Sequence, residues 1–268
     1  MAIARVGNIN IEYYVEGEGP PLLLIVGAGG NAGIWGEPFL ELLRPHFKTI
    51  RFSHGGTGAS DSPSGELTMR TMADDAAGLL RQLGIERAHV LGLSMGGHVA
   101  LELALNYRDI VKGLVLCGAD CGAAHSVPPS AEIIASMGQQ AALPKEEQMR
   151  QLCLLLVTPR FGQEAKAFME EMSETILSTS TETQGRQMMA IQSFDCYDRL
   201  PDIKAQTLII HGDEDIIIPP ENAEILRDRI AGSTAHIMPG VGHVVIWEEP
   251  KESAEAIVKF LSSVAAPV

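Results

Sequence analysis

The sequence predicts an α/β fold: a mostly parallel, doubly wound sheet with a helical segment inserted into it. Short apolar runs alternate with helical segments along most of the chain, which is typical of a parallel sheet covered by helices on both faces. The alternation stops after Cys121, and helical sequence then continues to about Tyr197. The 268 residues, 46% of them hydrophobic, are enough for one large core with an inserted subdomain.

These patterns divide the chain into two parts. We predict that residues 1–121 and 198–268 form the core, and that residues 122–197 form a helical cap inserted into it. The sequence contains no internal repeat and no low-complexity segment, so a repeat architecture is not expected.

The core elements follow in chain order. Residues 9–15 alternate and are rich in Ile and Tyr, which predicts a strand, and residues 22–26 are an apolar run typical of a strand buried on both faces. A glycine-rich loop occupies residues 27–33, and Gly84 is a typical stop for the helix predicted at residues 67–83. The other predicted elements are a short helix ending at Pro45, strands at 48–52, 88–93, 114–117, 207–210 and 235–238, and helices at 96–106 and 252–264.

The insertion is predicted to be helical throughout. Its helices are expected at residues 130–137, 145–157, 163–177 and 182–194, with turns at Pro144, Pro159 and Gly162. Six of the eleven methionines lie in this segment: Met137, Met149, Met169, Met172, Met188 and Met189. Methionine is flexible and fills irregular apolar space, so these residues fit an ordinary helical core or the lining of a substrate pocket. The sequence leaves both interpretations open.

Charge and composition restrict the partners. The net charge is −14 and no cluster of Lys and Arg is present, whereas nucleic acids and anionic membranes require concentrated positive charge. No run of 18 apolar residues exists, and the first residues lack the apolar stretch of a secretory signal. We therefore expect a small-molecule substrate, no nucleic acid and no membrane; the sequence leaves the oligomeric state open, a homo-oligomer included.

Cysteine and histidine spacing points away from disulfides and metals. The four cysteines lack CxxC spacing and do not combine with histidines in zinc patterns; they are Cys117, Cys121, Cys153 and Cys196. Free thiols are typical of a reducing compartment, so we predict a cytoplasmic protein. The sequence predicts no metal and no cofactor.

The strongest chemical motif is Gly92-Leu93-Ser94-Met95-Gly96, a G-x-S-x-G sequence. It lies between a predicted strand and a predicted helix, where a sharp turn presents a serine hydroxyl above the sheet. Residues without a Cβ allow the close approach that such a turn requires. The start of the following helix favours negative charge that develops beside the serine. We therefore predict Ser94 as a nucleophile.

With this motif the chain resembles the α/β-hydrolase family over essentially its whole length. The order of its parts is that of the family: strand, oxyanion loop, nucleophile turn, cap insertion, acid and histidine. The segment RAHVLGLSMGG is particularly similar to the serine esterases and enol-lactone hydrolases of the family. The resemblance implies a Ser-His-Asp hydrolase that forms an acyl-enzyme.

A serine hydroxyl needs a base that takes its proton, and the base needs an acid that orients it. The resemblance implies His243, because it follows Gly242 between the last predicted strand and the last helix and is followed by Glu248 and Pro250. It likewise implies Asp215, in the sequence His-Gly-Asp-Glu-Asp after the strand at residues 207–210. Asp120, which follows the strand at residues 114–117, remains an alternative acid.

The resemblance also implies an oxyanion hole of two backbone N–H groups, those of Ala28 and Met95. Two loops depart from the family pattern. Relatives usually read His-Gly where this chain has Val26-Gly27, and many carry Asp-x-Arg-Gly-x-Gly-x-Ser where this chain has SHGGTGAS from residue 53. Loss of that Asp and Arg removes an ion pair or hydrogen bonds that would stiffen the second loop.

We predict cleavage of a small to medium carboxylic ester or lactone. Relatives that open epoxides or remove halogens carry Asp in place of Ser94, so these reactions are disfavoured. Three alternatives remain: hydrolysis of a carbon–carbon bond in a vinylogous diketone by the same triad, a ligand receptor that keeps the triad with negligible turnover, and perhydrolysis.

Overall fold

The protein is described by a computed structural model that covers residues 1–140 and 143–264. Its centre is an eight-stranded sheet in the order β1-β2-β4-β3-β5-β6-β7-β8. The strands β1 and β2 are antiparallel to their neighbours, and every other pair is parallel. The strands are β1 (Ala2–Val6), β2 (Ile9–Glu16), β3 (Pro21–Ile25), β4 (Lys48–Phe52), β5 (Ala88–Leu93), β6 (Val111–Cys117), β7 (Gln206–Gly212) and β8 (Thr234–Met238).

Helices cover both faces of the sheet. Alternation along β3 shows the two sides: Leu23 packs in the same apolar cluster as residues of α2 (Met69–Gln82) and α3 (Met95–Asn106), whereas Leu24 packs in the cluster that contains residues of α1 (Glu37–Leu43) and α11 (Pro250–Ser263). The helices are α1 (Glu37–Leu43), α2 (Met69–Gln82), α3 (Met95–Asn106), α4 (Ala131–Gln140), α5 (Lys145–Leu156), α6 (Pro159–Glu164), α7 (Lys166–Leu177), α8 (Thr181–Ser193), α9 (Glu221–Arg229), α10 (Val245–Glu248) and α11 (Pro250–Ser263). The predicted fold class is therefore confirmed.

The carboxyl ends of β3, β5, β6 and β7 meet at one edge of the sheet because these strands are parallel neighbours. The loops after these strands, together with the loop after β8 that holds His243, carry the predicted site residues. Helices α4 to α8 lie between β6 and β7 in the chain, as the helical pattern predicts. The division into core and cap domains stays a prediction.

Several local predictions are corrected. The pattern at residues 163–177 predicts one helix, but the backbone of Ala165 leaves the helical region (φ −84°, ψ 38°) and separates α6 from α7. Pro159 begins α6 rather than a turn, because proline fits the first helical position, where its missing N–H is not needed. Gly162 lies inside that helix. Within the described residues, no helix combines the length and apolarity needed to cross a bilayer.

Candidate active site

Ser94 occupies the turn between β5 and α3 in a strained backbone conformation. It has φ 55° and ψ −124°, and it is the only non-glycine residue with positive φ within residues 1–140 and 143–264. The turn is tight: a side chain at Gly96 would overlap with the carbonyl of Ile25 on the neighbouring strand. The glycines of the motif therefore permit the close packing that holds Ser94 above the sheet.

Two glycines locate Ser94 and His243 relative to the sheet. A methyl group on Gly27 would lie 3.2 Å from Cβ of Ser94, so the loop after β3 touches the serine. A methyl group on Gly118 would lie 3.2 Å from Nδ1 of His243. The residue before Gly118 is Cys117, the last residue of β6, and its carbonyl accepts the N–H of Ser94 at 2.9 Å. Ser94 and His243 thus adjoin the same end of β6. They share no hydrogen bond in this structure; such contacts often tighten only in the substrate complex.

Asp215 and His243 are brought together. Nδ1 of His243 lies 2.7 Å from Oδ2 of Asp215, and both side chains are buried. The other carboxylate oxygen accepts the N–H groups of Ile217 and Ile218, each at 2.9 Å. An ionised carboxylate can only accept, so the hydrogen of the first contact belongs to Nδ1 and leaves Nε2 as the basic atom of the ring.

Electrostatics keep Asp215 ionised. Burial alone would raise the pKa of this carboxyl group, but the charge of His243 and hydrogen bonds from His211 and His243 outweigh burial and hold the pKa well below its ordinary range. Nε2 of His211 lies 3.1 Å from Oδ2 of Asp215 and 2.7 Å from the carbonyl of Ile218. Both neighbours accept, so this nitrogen carries a hydrogen.

Asp120, the alternative acid, contacts a different histidine. Its Oδ1 lies 3.0 Å from Nε2 of His98 and accepts the N–H of Gly122 at 2.7 Å. Burial raises the pKa of Asp120, but the charge and hydrogen bond of His98 outweigh it and leave the pKa lowered. No hydrogen bond joins this carboxylate to His243.

The two predicted oxyanion donors are available. The N–H groups of Ala28 and Met95 donate to no other group in the part of the chain that the structure describes. Met95 is the first residue of α3, and the first N–H groups of a helix have no partner within it. Ala28 is exposed, and it directly follows Gly27, the residue that contacts Ser94.

The loop that departs from the family pattern is held by other groups. The buried carboxylate of Glu12, on β2, accepts the hydroxyl of Ser53 at 2.7 Å and the N–H of Ala59 at 2.9 Å. Nε2 of His54 donates to the carbonyl of Val26 at 3.0 Å, which ties this loop to the oxyanion loop. Burial lowers the pKa of His54 to about 4, so the ring is neutral near pH 7. The stiffening expected to be lost is thus supplied by Glu12 and His54.

The inserted helices bind the histidine loop. The carbonyl of Leu156, at the end of α5, accepts the N–H of His243 at 3.0 Å. Glu248 accepts the N–H of Gly242 at 2.8 Å and the hydroxyl of Thr158 at 2.5 Å. Glu248 therefore fastens the residue before His243 to the insertion.

Sequence reasoning missed the roles of His211 and Glu248. His211 ends a strand and Glu248 only marks the histidine motif, and neither position carries a local signal for its partners.

The methionines of the insertion differ in burial: Met149 and Met172 are buried, whereas Met188 and Met189 are exposed. Whether the methionine-bearing helices line a substrate pocket stays a prediction. Within the described residues, no group of three or more His, Cys, Asp or Glu side chains is arranged to hold a metal ion.

The family follows from comparison with known proteins. A family model described as alpha/beta hydrolase fold matches residues 20–250. The chain belongs to the α/β-hydrolase family. The predicted resemblance is confirmed, and the chain is a hydrolase.

Relatives of this chain are named for different activities. A protein of Azorhizobium caulinodans named "Putative carbamate hydrolase RutD" is 30% identical over 86% of this chain and 86% of its own length. A 2-hydroxy-6-oxo-6-phenylhexa-2,4-dienoate hydrolase of Comamonas testosteroni is 28% identical over 94% of this chain and 91% of its own. The solved structure of a thermophilic esterase from Thermogutta terrifontis is 28% identical, with a TM-score of 0.85 over 99% of this chain and 100% of that one.

Proposed function

We propose that this hydrolase cleaves small to medium carboxylic esters or lactones through an acyl-enzyme on Ser94. The contact between Asp215 and Nδ1 of His243 carries the proposal, because it leaves Nε2 of that ring as a base. The strained turn at Ser94, beside the same end of the sheet, supplies the group that such a base would activate.

The reaction has two steps. Oγ of Ser94 attacks the substrate carbonyl carbon while Nε2 of His243 takes the hydroxyl proton and passes it to the departing alcohol oxygen. Asp215 stabilises the charged ring during this transfer. The N–H groups of Ala28 and Met95 stabilise the negative oxygen of the tetrahedral intermediate. Water, deprotonated by Nε2 of His243, then attacks the acyl carbon; the bond to Oγ of Ser94 breaks, His243 returns the proton to Oγ, and the acid is released.

The relatives favour two other substrates. Carbamates also offer a carbonyl carbon to Ser94, as the name of the RutD relative suggests. The dienoate hydrolase favours cleavage of a carbon–carbon bond beside a ketone. The esterase from Thermogutta terrifontis, the solved structure reported above, favours the ester.

We propose a cytoplasmic location as well, since all four cysteines are free and buried.

A substrate panel with one variant tests the proposal. Short aryl esters, small lactones, an aryl carbamate and a vinylogous diketone are assayed with the wild type and Ser94→Ala. We expect ester or lactone turnover, and a loss on the order of 10⁶ in Ser94→Ala because the triad acts as a unit. An alanine variant that stays active, or turnover confined to the carbamate or the diketone, would contradict the ester and lactone proposal. A wild type without turnover on any substrate would favour the receptor alternative.

A further inference from the structure

Gly29, directly after the proposed oxyanion donor Ala28, is held by the inserted helices from two sides. Its N–H donates to Oε1 of Gln187, on α8, at 2.8 Å. Its carbonyl accepts the hydroxyl of Thr179, between α7 and α8, at 2.9 Å. These partners are 158 and 150 residues away in the chain, so the insertion reaches across to the loop after β3.

The contact is closely packed. Gln187 and Thr179 are 1% and 0% exposed. Gly29 has φ +72°, a conformation that side chains rarely adopt, and a methyl group there would lie 3.2 Å from Cγ2 of Ile176. A side chain at position 29 would therefore be strained, and, because both partners are buried, water does not compete for the two hydrogen bonds.

Gln187 is an unusual choice for packing alone. Its Nε2 is buried and has no hydrogen-bond partner within the described residues. A buried donor without a partner is unfavourable, so an apolar side chain would suit this position better if it only filled space. The single use that this amide has in the structure is to accept the N–H of Gly29.

We propose that Gln187 and Thr179 are positioning residues for the oxyanion hole. They fix the peptide groups on both sides of Gly29 and so hold the neighbouring Ala28 N–H towards the oxygen that becomes negative during the reaction. The inference rests on the proposed function. Removing an oxyanion donor outright costs about 10²–10³ in turnover, and a donor whose direction is no longer fixed should cost part of that.

Such a role acts on the transition state more than on substrate binding. The substrate oxygen carries a full negative charge only in the tetrahedral intermediate. An Ala28 N–H group whose direction is less well fixed should therefore lower kcat and leave KM nearly unchanged. A merely structural role would lower the folded fraction, and with it the apparent kcat at unchanged KM, but it would leave kcat per folded enzyme unchanged. The kcat values are therefore referred to active sites titrated with a serine-directed reagent.

The variants are Gln187→Met, which keeps the side-chain volume without the acceptor, and Thr179→Val, which keeps the shape without the hydroxyl. Thr179→Ser restores the hydroxyl. The matched control is Arg186→Met on the same helix, because Arg186 joins α8 to the core elsewhere, through the carbonyls of Pro63 (2.8 Å) and Gly65. Gln187→Met and Thr179→Val each remove one contact of Gly29, so if one of these variants fails to fold, the other still tests the proposal.

The experiment measures kcat, KM and hydrogen exchange of the Gly29 amide. We expect kcat to fall about tenfold in Gln187→Met and in Thr179→Val, with KM changed by no more than about twofold. In Thr179→Ser and Arg186→Met, kcat should stay near the wild-type value. The Gly29 amide should exchange faster in Gln187→Met. Unchanged kcat despite faster exchange would overturn the proposal, as would an equal loss in Arg186→Met. Turnover that survives in Ser94→Ala would instead show that the proposed function fails, and the positioning role would fall with it.

Discussion

Asp215 with His243 and Asp120 with His98 are two histidine–aspartate pairs at the carboxyl end of the sheet, and only the first fits the proposed reaction. Asp215 faces His243 at 2.7 Å, and Asp120 faces His98 at 3.0 Å. In both pairs burial raises the pKa of the carboxyl group, but the facing histidine, together with His211 and, for Asp120, the N–H of Gly122, outweighs burial and leaves the pKa lowered. Both carboxylates are therefore ionised near pH 7 and able to orient a ring.

The pairs differ in the ring nitrogen that remains. His98 uses Nε2 for its carboxylate, and its Nδ1 is buried with no hydrogen-bond partner among the described residues. Its ring stacks on Phe194, with 4.6 Å between the two ring centroids. His243 uses Nδ1, which leaves its Nε2 without a hydrogen bond to the described residues, and its ring adjoins the same end of β6 as Ser94. A carboxylate partner alone does not make a histidine a base; the second nitrogen must reach the proton that is transferred.

The largest difference in turnover between the two pairs is expected when the aspartate of each pair is replaced by asparagine. Asp215→Asn keeps the shape but favours the wrong tautomer of His243, so turnover should fall by about 10⁴, the cost of the analogous change in serine proteases. Asp120→Asn should cost far less, because His98 takes no part in the proton transfer. Steady-state kinetics of both variants provide the check. A crippled Asp120→Asn beside an active Asp215→Asn would assign the acid to the earlier strand.

A smaller effect concerns a histidine without a carboxylate partner. The folded pKa of His54 is about 4, below the ordinary 6.5. Between these values the unfolded chain binds more protons, so the stability that the neutral ring contributes is present above pH 6.5 and is lost as the pH falls towards 4. The loss amounts to roughly 3 kcal/mol.

His54→Gln can still donate to the carbonyl of Val26 but does not titrate. Its free energy of unfolding should therefore depend less on pH between 6.5 and 4 than that of the wild type. Urea denaturation at several pH values measures the difference, and His89, which burial also holds at a pKa of about 4, contributes equally to both proteins. Identical pH dependence would show that His54 is not buried as a neutral ring.

Patterns local in sequence predicted most of the fold. The apolar runs of β3 and β5 and the glycines around Ser94 act through nearest neighbours, so they are readable without a structure. The missed elements carry weak signals. β1 has only five residues, although Gly7-Asn8 before Ile9 is a typical hairpin turn. α9 is short and polar, and only the proline before it and the basic residues in its last turn indicate a helix.

The site was predictable only as far as motifs reach. The resemblance implied Ser94, His243 and Asp215, but Asp120 remained an alternative acid, because Asp120 and Asp215 both follow strands that end at the same edge. Contacts such as that of Gln187 with Gly29 join residues far apart in the chain and depend on how the insertion packs. No spacing rule encodes them.

Labelling by a serine-directed phosphonate tests most directly that Ser94 is activated by the His243 pair rather than the His98 pair. Mass spectrometry locates the label, and its rate is compared among the wild type, His243→Gln and His98→Gln. We predict that the wild type is labelled on Ser94, that His243→Gln slows labelling by orders of magnitude, and that folded His98→Gln reacts near the wild-type rate. A label on another residue, or equal slowing in the two histidine variants, would contradict the account.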